Sequence, residues 1–405
     1  MKGPRRVVLY SPGMVGLGHM RRNLLIAQAL ANGNMSAAIL LLAEAREASA
    51  FAFPPGVDCL TLPALRKGID GVCHSRHLDL PLADVVAVRA QAIAATLKAF
   101  QPDVWIVDHL PRGAVGELNG TLESLRARGK TRCVLGLRDI LGHPDAVAQS
   151  WRAARCEGAI RRYYHAIWVY GDPAVYDPVR EYALPPDLEA RTRFTGYLDH
   201  RARLHHAEQN GFDPLPSLEL PPGPLMVCVL GGGQDGGPLA EAFVQATLPP
   251  GAAGVVLTGP FMPWEHRRRV IELAGGNPRM RVLEFLREPA LLLRKADRVV
   301  AMGGYNTIWE MLSFRVPALV VPRTGSSGEQ HIRAQRLAAL GMVHTLPPEE
   351  ATPEAISRWL ALDRPVANDP RQVIDFGGLE NLPRFLEDVV SGRSGALAAV
   401  AGGIA

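Results

Sequence analysis

The sequence holds no CxxC pair, and its five cysteines (Cys59, Cys73, Cys133, Cys156, Cys228) are scattered along 405 residues. That pattern excludes a CxxC-based zinc or redox motif. Cys133 and Cys228 fall inside apolar, strand-like runs, which predicts buried free thiols and a reducing compartment. No uninterrupted apolar stretch reaches the roughly 18 residues of a bilayer-spanning helix, so no transmembrane segment is expected. The opening MKGPRRVVLYSPG carries too short an apolar run for a signal peptide, and the cytoplasm is the expected location. Nowhere do aspartates occur as DxD, the usual carboxylate pair for a divalent cation on a diphosphate. Nor is there a His/Cys ligand cluster, since His205-His206 lies in a polar, proline-rich stretch and reads as solvated. No metal and no cofactor are expected. A net charge of +4 is too diffuse to argue for nucleic acid. It suits anionic small molecules or a peripheral contact with anionic lipid. Arg267, Arg268 and Arg269 lie in a helical pattern and read as a solvated face.

What is present is alternation. Short apolar runs recur between helical patterns at Arg6–Tyr10, Ala37–Leu42, Val104–Val107, Arg132–Leu137 and Ile167–Tyr170. They resume at Leu225–Leu230, Gly254–Thr258, Met280–Phe285, Arg298–Ala301, Pro317–Val321 and Val343–Leu346. Continuous apolar strands separated by helices predict parallel sheets covered on both faces. The composition, 47% hydrophobic and 21% charged, is that of a soluble globular α/β protein, and the length suits two domains. The reading is a first domain over 1–198 and a proline-rich linker over 199–222. A second domain follows over 223–365, then a helix over 366–392 that crosses back to the first, and a disordered tail over 393–405. Both domains are expected to be doubly wound and to face a cleft, with ligands at the carboxyl ends of the strands.

Three strand-to-helix turns are rich in glycine. The first, SPGMVGLGHMRRN, holds Gly16, Gly18 and His19, followed by Arg21 and Arg22 at a helix start, where cations are unfavourable. The second, VLGGGQDGG, holds Gly231 to Gln234. The third, AMGGYNTIWEML, runs from Gly303-Gly304 into a helix. Glycines admit a ligand close to the backbone, and free N–H groups at a helix start favour an anion such as a diphosphate. Thr307 falls in the first helical turn, and Glu310 lies on the same face three residues on. A carboxylate there can accept from both hydroxyls of a ribose. The same residues also read as a helix-start threonine and a solvated charge. Beyond the strand PALVV lies a turn at Gly325–Gly328, and Glu329-Gln330 open an amphipathic helix. Those side chains suit sugar hydroxyls, and Glu329 would equally complement the helix dipole.

The order of glycine turn, Glu310, proline-led strand, loop and Glu329-Gln330 resembles the nucleotide-sugar site of GT-B glycosyltransferases. Among them it resembles the enzymes that add N-acetylglucosamine to lipid I in peptidoglycan synthesis. The resemblance covers Leu225 to about Leu346 and the N-terminal loop. It implies two Rossmann-like domains, with the donor held mainly by the second. Glu310 would hold the ribose hydroxyls, while Thr307 and the Gly303, Gly304, Tyr305 and Asn306 backbone would contact the diphosphate. Gly232, Gly233 and Gln234, with Gly18, would lie near the phosphates, and Gln234 stands where the family often has a hydroxyl. Phe285 and Leu286 would clamp the base, and Glu329 and Gln330 would touch the donor sugar. His19 would be the general base, a role suited to a histidine near neutral pKa. The reaction implied is metal-independent, inverting transfer of a sugar from a nucleoside diphosphate, uridine being the favoured base, to an acceptor hydroxyl. The acceptor stays open among a lipid-linked sugar, a secondary metabolite and a polysaccharide precursor.

Asp108 and His109, Arg138 and Asp139 sit where strands end toward the expected cleft, as do Tyr170 and Asp172. With Arg21 they are acceptor-side candidates, and the pairs read equally as acceptor contacts, secondary acid/base groups or structural ion pairs. A hydrolase or epimerase on the same scaffold would share the donor site. A nicotinamide dinucleotide enzyme would use Gly16 and Gly18 with Glu44, but Arg21 stands where the third glycine belongs. A non-catalytic sugar-nucleotide binder would keep Glu310 and need no base.

Overall fold

The computed structural model describes residues 4–12, 18–33, 36–44, 53–67, 72–204, 216–286, 288–323, 328–363 and 368–393. Gly16, the turn residues 324–327 with Gly325 among them, His205-His206 and the tail from 394 onward lie outside the described residues. The chain divides into two compact units. One is Met1–Leu198 together with Gly377–Ala405, and the other is Asp199–Phe376.

The strands of the first unit are β1 (Arg5–Ser11), β2 (Ala37–Ala43), β3 (Val57–Thr61), β4 (Leu65–Lys67), β5 (Cys73–Ser75), β6 (Val104–Asp108), β7 (Arg132–Arg138), β8 (Ala166–Tyr170) and β9 (Thr192–Phe194). All but β4 and β5 form a parallel sheet in the order β3-β2-β1-β6-β7-β8-β9. The strands β4 and β5 pair antiparallel as a separate hairpin. Every residue of β6 and β8 is buried, as strands covered on both faces require. Trp105 and Trp168 fill the layers against the sheet with almost no exposure.

The second unit holds β10 (Leu225–Val229), β11 (Ala253–Leu257), β12 (Met280–Leu283), β13 (Arg298–Ala301), β14 (Ala318–Val320) and β15 (His344–Thr345). They form a parallel sheet in the order β12-β11-β10-β13-β14-β15. In both sheets the strand order reverses beside the first strand, between β1 and β6 and between β10 and β13. Such reversals open a crevice at the strands' carboxyl ends. Cys133 and Cys228 are buried free thiols. Among the described residues, no helix is long and apolar enough to cross a membrane.

Several elements depart from the sequence reading. The strands β3, β4, β5 and β9 carry no continuous apolar run; β3 alternates toward solvent and β9 is a three-residue edge. The segment beginning at Asp199 is not a free linker. Asp199 bonds Arg371 at 2.9 Å, and Arg203 is buried among carboxylates of the second unit. Residues 366–376 also belong to the second unit, and the chain re-enters the first at Gly377. There Leu198 bridges to Gly377, and a Cβ on Gly378 would stand 2.7 Å from the Tyr197 carbonyl oxygen, so only glycine fits. The helix Gly378–Val390 then packs against the helix Gly18–Ala31, with Pro383 seated on Gly33.

Candidate functional site

In the first unit, Gly18 and His19 open the helix that follows β1, and Asp108 ends the neighbouring β6. The strand reversal therefore brings a histidine and an aspartate together across a sequence separation of 89 positions. His19 Nδ1 lies 2.8 Å from Asp108 Oδ2. Arg22 donates to both Asp108 oxygens at 2.7 and 2.6 Å. Asn23 adds a donor at 2.9 Å to Asp108 and another to the His19 carbonyl. His19, Arg22 and Asn23 are spaced three and four apart, so one face of the helix presents all three to a single carboxylate.

Asp108 is fully buried, and burial alone would favour its protonated form. Arg22 and His19 override that and hold it well below the usual carboxylate range. Asp108 is thus an anchor for His19 rather than an acceptor contact. With Nδ1–H donated to Asp108, the other ring nitrogen of His19 carries the lone pair. Burial holds His19 below its ordinary value despite Asp108, which keeps the imidazole neutral near pH 7. Arg22 is 1% exposed, so it is no solvated cation and no acceptor contact. Its charge at the helix start is offset by Asp108. Tyr170 lies buried beneath it, the ring centroid 5.7 Å from the guanidinium carbon.

His109 follows with φ of 69°, a left-handed backbone rare outside glycine. Its ring lies 5.9 Å from that of His19. Its Nδ1 is buried and has no hydrogen-bond partner among the described residues. Burial, then the charge of Arg138, pushes His109 down to about 3. Arg138 ends β7 and acts electrostatically on both histidines. Asp139, by contrast, is fully buried, accepting from Tyr197 at 2.7 Å and from the Ile140 N–H. It is a structural residue of its own loop and not an acceptor-side group. Arg21 is half-buried at the helix start. Glu44, the acid of the dinucleotide reading, is 1% exposed and bound to Arg89 at 2.5 Å. Arg89 also bonds Glu117 at 2.7 Å, and Tyr10 donates to Glu117 at 2.6 Å. Glu44 is therefore committed within the core.

In the second unit, two glycine turns and the start of the Glu329–Ala339 helix meet beside the β10–β13 reversal. Gly233 has φ of 86°, and a Cβ there would stand 1.9 Å from the Thr258 carbonyl oxygen, so this glycine is demanded by packing. A Cβ on Gly231 would stand 4.0 Å from the Thr307 hydroxyl, which places the second turn against the third. Gly232 is half-buried, and Gln234 is exposed at the rim. A Cβ on Gly303 would stand 3.1 Å from Gln330 Cβ, so the third turn also meets the start of the Glu329–Ala339 helix.

Gly304 caps the Tyr305–Ser313 helix with no side-chain cap, and the first helical N–H groups have no intrahelical acceptor. Tyr305 and Thr307 are buried there, and the side-chain oxygen of half-buried Asn306 is unpartnered among the described residues. Phe285 and Leu286 lie beyond β12, which ends at Leu283, with the Phe285 ring exposed.

Glu310 is 2% exposed. Arg203 Nη1 donates to its Oε1, and His200 Nδ1 stands 3.7 Å from the same oxygen. Glu329 is turned inward to fully buried Arg333 at 2.8 Å, and Arg333 also donates to the Gly303 carbonyl at 3.0 Å. Gln330 accepts from the Arg323 N–H at 3.2 Å. The sequence reading missed Arg22, Asn23, Arg203 and Arg333 as partners. Arg22 and Asn23 left a local signal in their helical spacing from His19, and Arg333 in its spacing four residues on from Glu329; Arg203 left none.

Residues 226–370 match the family description "Glycosyltransferase family 28 C-terminal domain". The UDP-N-acetylglucosamine--N-acetylmuramyl-(pentapeptide) pyrophosphoryl-undecaprenol N-acetylglucosamine transferase of Klebsiella pneumoniae subsp. pneumoniae is 30% identical over 150 residues, 36% of this chain and 42% of the relative. The chain thus aligns with about two fifths of that curated relative. Likeness to solved structures extends over nearly the whole chain. The UDP-GlcNAc 2-epimerase from Neisseria meningitidis bound to UDP-GlcNAc gives a TM-score of 0.60 at 12% identity, covering 96% of this chain and 100% of that one. The calicheamicin glycosyltransferase CalG4 gives 0.54 at 17% identity, covering 97% and 95%. The fold is that of GT-B glycosyltransferases and related epimerases, and the chain resembles the lipid II N-acetylglucosaminyltransferase.

Proposed function

We propose that the chain transfers a sugar from a nucleoside diphosphate, uridine diphosphate being the favoured carrier, to an acceptor hydroxyl. One observation carries this reading: two glycine turns and the start of a further helix meet at a strand reversal, and the Tyr305–Ser313 helix that begins there bears the buried Glu310 carboxylate. They do so in the segment that matches a glycosyltransferase domain. Glu310 takes the ribose hydroxyls, while the Tyr305–Ser313 helix start and the Gly231–Gly233 turn take the diphosphate.

In this reading the first unit contributes the base and the second holds the donor. Asp108 holds the Nδ1–H of His19, and the remaining ring nitrogen removes the acceptor's proton as its oxygen bonds the anomeric carbon. The bond from that carbon to the diphosphate breaks on the opposite face, so the centre inverts. Negative charge building on the departing diphosphate meets preorganised amide dipoles, which stabilise it without reorganisation. No cation is invoked, in keeping with the lack of DxD. The mild positive charge and the lipid-linked name of the Klebsiella relative support a cytoplasmic protein whose acceptor is presented at a membrane surface.

A panel of UDP-, dTDP- and GDP-sugars assayed by thermal shift tests the donor. A ligand at 100 times its Kd stabilises by about 2.7 kcal/mol, and one carrier is expected to stand out. Glu310→Ala is expected to weaken that carrier by about 1–3 kcal/mol in calorimetry. A panel without a shift, or unaltered affinity in Glu310→Ala, refutes the site. The likeness to an epimerase structure keeps a second reading in view. Free or isomerised sugar formed in the absence of any acceptor would favour it.

A further inference from the structure

The segment Asp199–Leu204 contributes nothing to the motifs read from sequence, yet it inserts a cation beside the acid to which the ribose role is given. We propose that Arg203 is a positioning residue for the donor site, fixing the Glu310 carboxylate for a vicinal diol and thereby setting the preference for ribonucleotides over deoxyribonucleotides. The inference rests on the reading of Glu310 as the ribose-directed acid.

The argument is geometric. A glutamate side chain has several rotatable bonds, and a carboxylate that must meet two hydroxyls at once is penalised by that freedom. Arg203 removes it. Its guanidinium is 8% exposed and spans two carboxylates, with Nη1 on Glu310 and Nη2 and Nε on Glu288 at 2.6 and 3.2 Å. Glu288 is itself fixed, since its side chain caps the helix Pro289–Lys295 through the Ala290 N–H at 3.1 Å. The planar fork therefore ties Glu310 to the start of a second helix, and a lysine, as a point charge, cannot span both acids in this way.

The segment that carries the fork is anchored along its length. Asp199 pairs with Arg371, which also donates to the Ser313 carbonyl at 3.1 Å. The His200 N–H donates to Ser313 Oγ at 3.0 Å, at the last residue of the helix that bears Glu310. Leu204 packs with Ala290 and Leu291, and Phe314 lies against them. With Arg203 bonded to Oε1, Glu310 has Oε2 and its remaining lone pairs for the two hydroxyls, held in one orientation. That orientation favours a diol over a single hydroxyl.

The test is the ratio of Kd values for 2′-deoxy-UDP and UDP, measured by calorimetry on the full chain. The same ratio is taken for GDP and 2′-deoxy-GDP. The wild type is expected to prefer the tighter-binding ribonucleotide by about tenfold or more, the worth of a hydrogen bond to a charged group. Arg203→Gln is expected to bring the ratio below about threefold, and Arg203→Lys, which keeps the charge without the fork, to restore only part of it. A purely structural arginine would lower the affinity for both nucleotides alike and leave the ratio intact. Should Arg203→Gln fail to fold, Arg203→Lys and Glu288→Gln carry the test, with the ratio again expected to fall.

Glu310→Gln separates the two levels of the argument. If it abolishes the preference while Arg203→Gln, Arg203→Lys and Glu288→Gln keep it, the role of Arg203 is overturned and the ribose site stands. If Glu310→Gln keeps the preference, or the wild type shows none, the ribose reading falls and this inference falls with it.

Discussion

The two units are built alike and bring different atoms to the same place. Each carries a parallel sheet whose strand order reverses beside its first strand, and at each reversal a helix starts at or just after a glycine, Gly18 in one and Gly304 in the other. In the first unit the reversal gathers titratable side chains: His19, Asp108, Arg22, His109 and Arg138 interact through charge and hydrogen bonds. In the second it gathers backbone: Gly231 faces Thr307 in the Tyr305–Ser313 helix start, Gly233 lies against the Thr258 carbonyl, and Gly303 meets Gln330. Side chains whose charge can change suit proton transfer, and backbone amides whose charge cannot change suit holding an anion. In the proposed function, one topology supplies a base in one unit and a grip in the other, according to which atoms the reversal brings forward.

The strongest way to break that division is His19→Ala. Turnover with any acceptor is expected to fall by about 10²–10⁴-fold, the usual contribution of a positioned general base. Donor affinity, which the proposed function assigns to the second unit, is expected to stay within about twofold. Kinetics and calorimetry on one preparation read both quantities, and a variant with wild-type turnover removes His19 from the chemistry. The next largest effect belongs to Asp108→Asn. Arg22 is buried and has Asp108 as its ion-pair partner, and removing one partner of a buried pair costs about 3–5 kcal/mol. Denaturant titration should show that loss together with lower turnover. A variant as stable as the wild type would mean that Arg22 is balanced by some other group.

Much of this architecture is legible in sequence, and what is not has one physical cause. The runs at Val104–Val107 and Arg298–Ala301 announce buried parallel strands because both of their faces are covered. Gly303-Gly304, Thr307 and Glu310 announce a helix start because their relations are local. The pairings that give these residues their character are long-range. Asp108 reaches His19 across 89 positions, and Arg203 reaches Glu310 across 107. No local pattern encodes either, so Arg22 reads as an awkward cation and the segment from Asp199 reads as linker. Asp139 misleads for the same reason: its neighbours in sequence place it at a strand end, while Tyr197, 58 positions on, buries it.

The smallest expected effect sharpens the comparison by testing whether burial tunes the first unit's histidines. His109 is held neutral, pushed down to about 3 by burial and by Arg138, whereas an unfolded histidine titrates near 6.5. Below about pH 6.5 the unfolded chain therefore binds a proton that the folded chain refuses. The stability this histidine contributes is intact above that pH and declines as pH falls toward 3. The slope is about 1.4 kcal/mol for each pH unit, and His19, lowered in the same direction, adds to it. Asp108 is also depressed, but its contribution declines only below the ordinary carboxylate range and does not obscure the window between about pH 6.5 and 5. His109→Asn retains a residue that tolerates the left-handed backbone while removing the titration. Denaturation at pH 7, 6 and 5 is expected to show a shallower loss for this variant, by about 1.4 kcal/mol for each pH unit below 6.5. If the two curves run parallel, His109 takes up its proton in the folded chain as readily as in the unfolded one, and burial does not set the charge of this cluster.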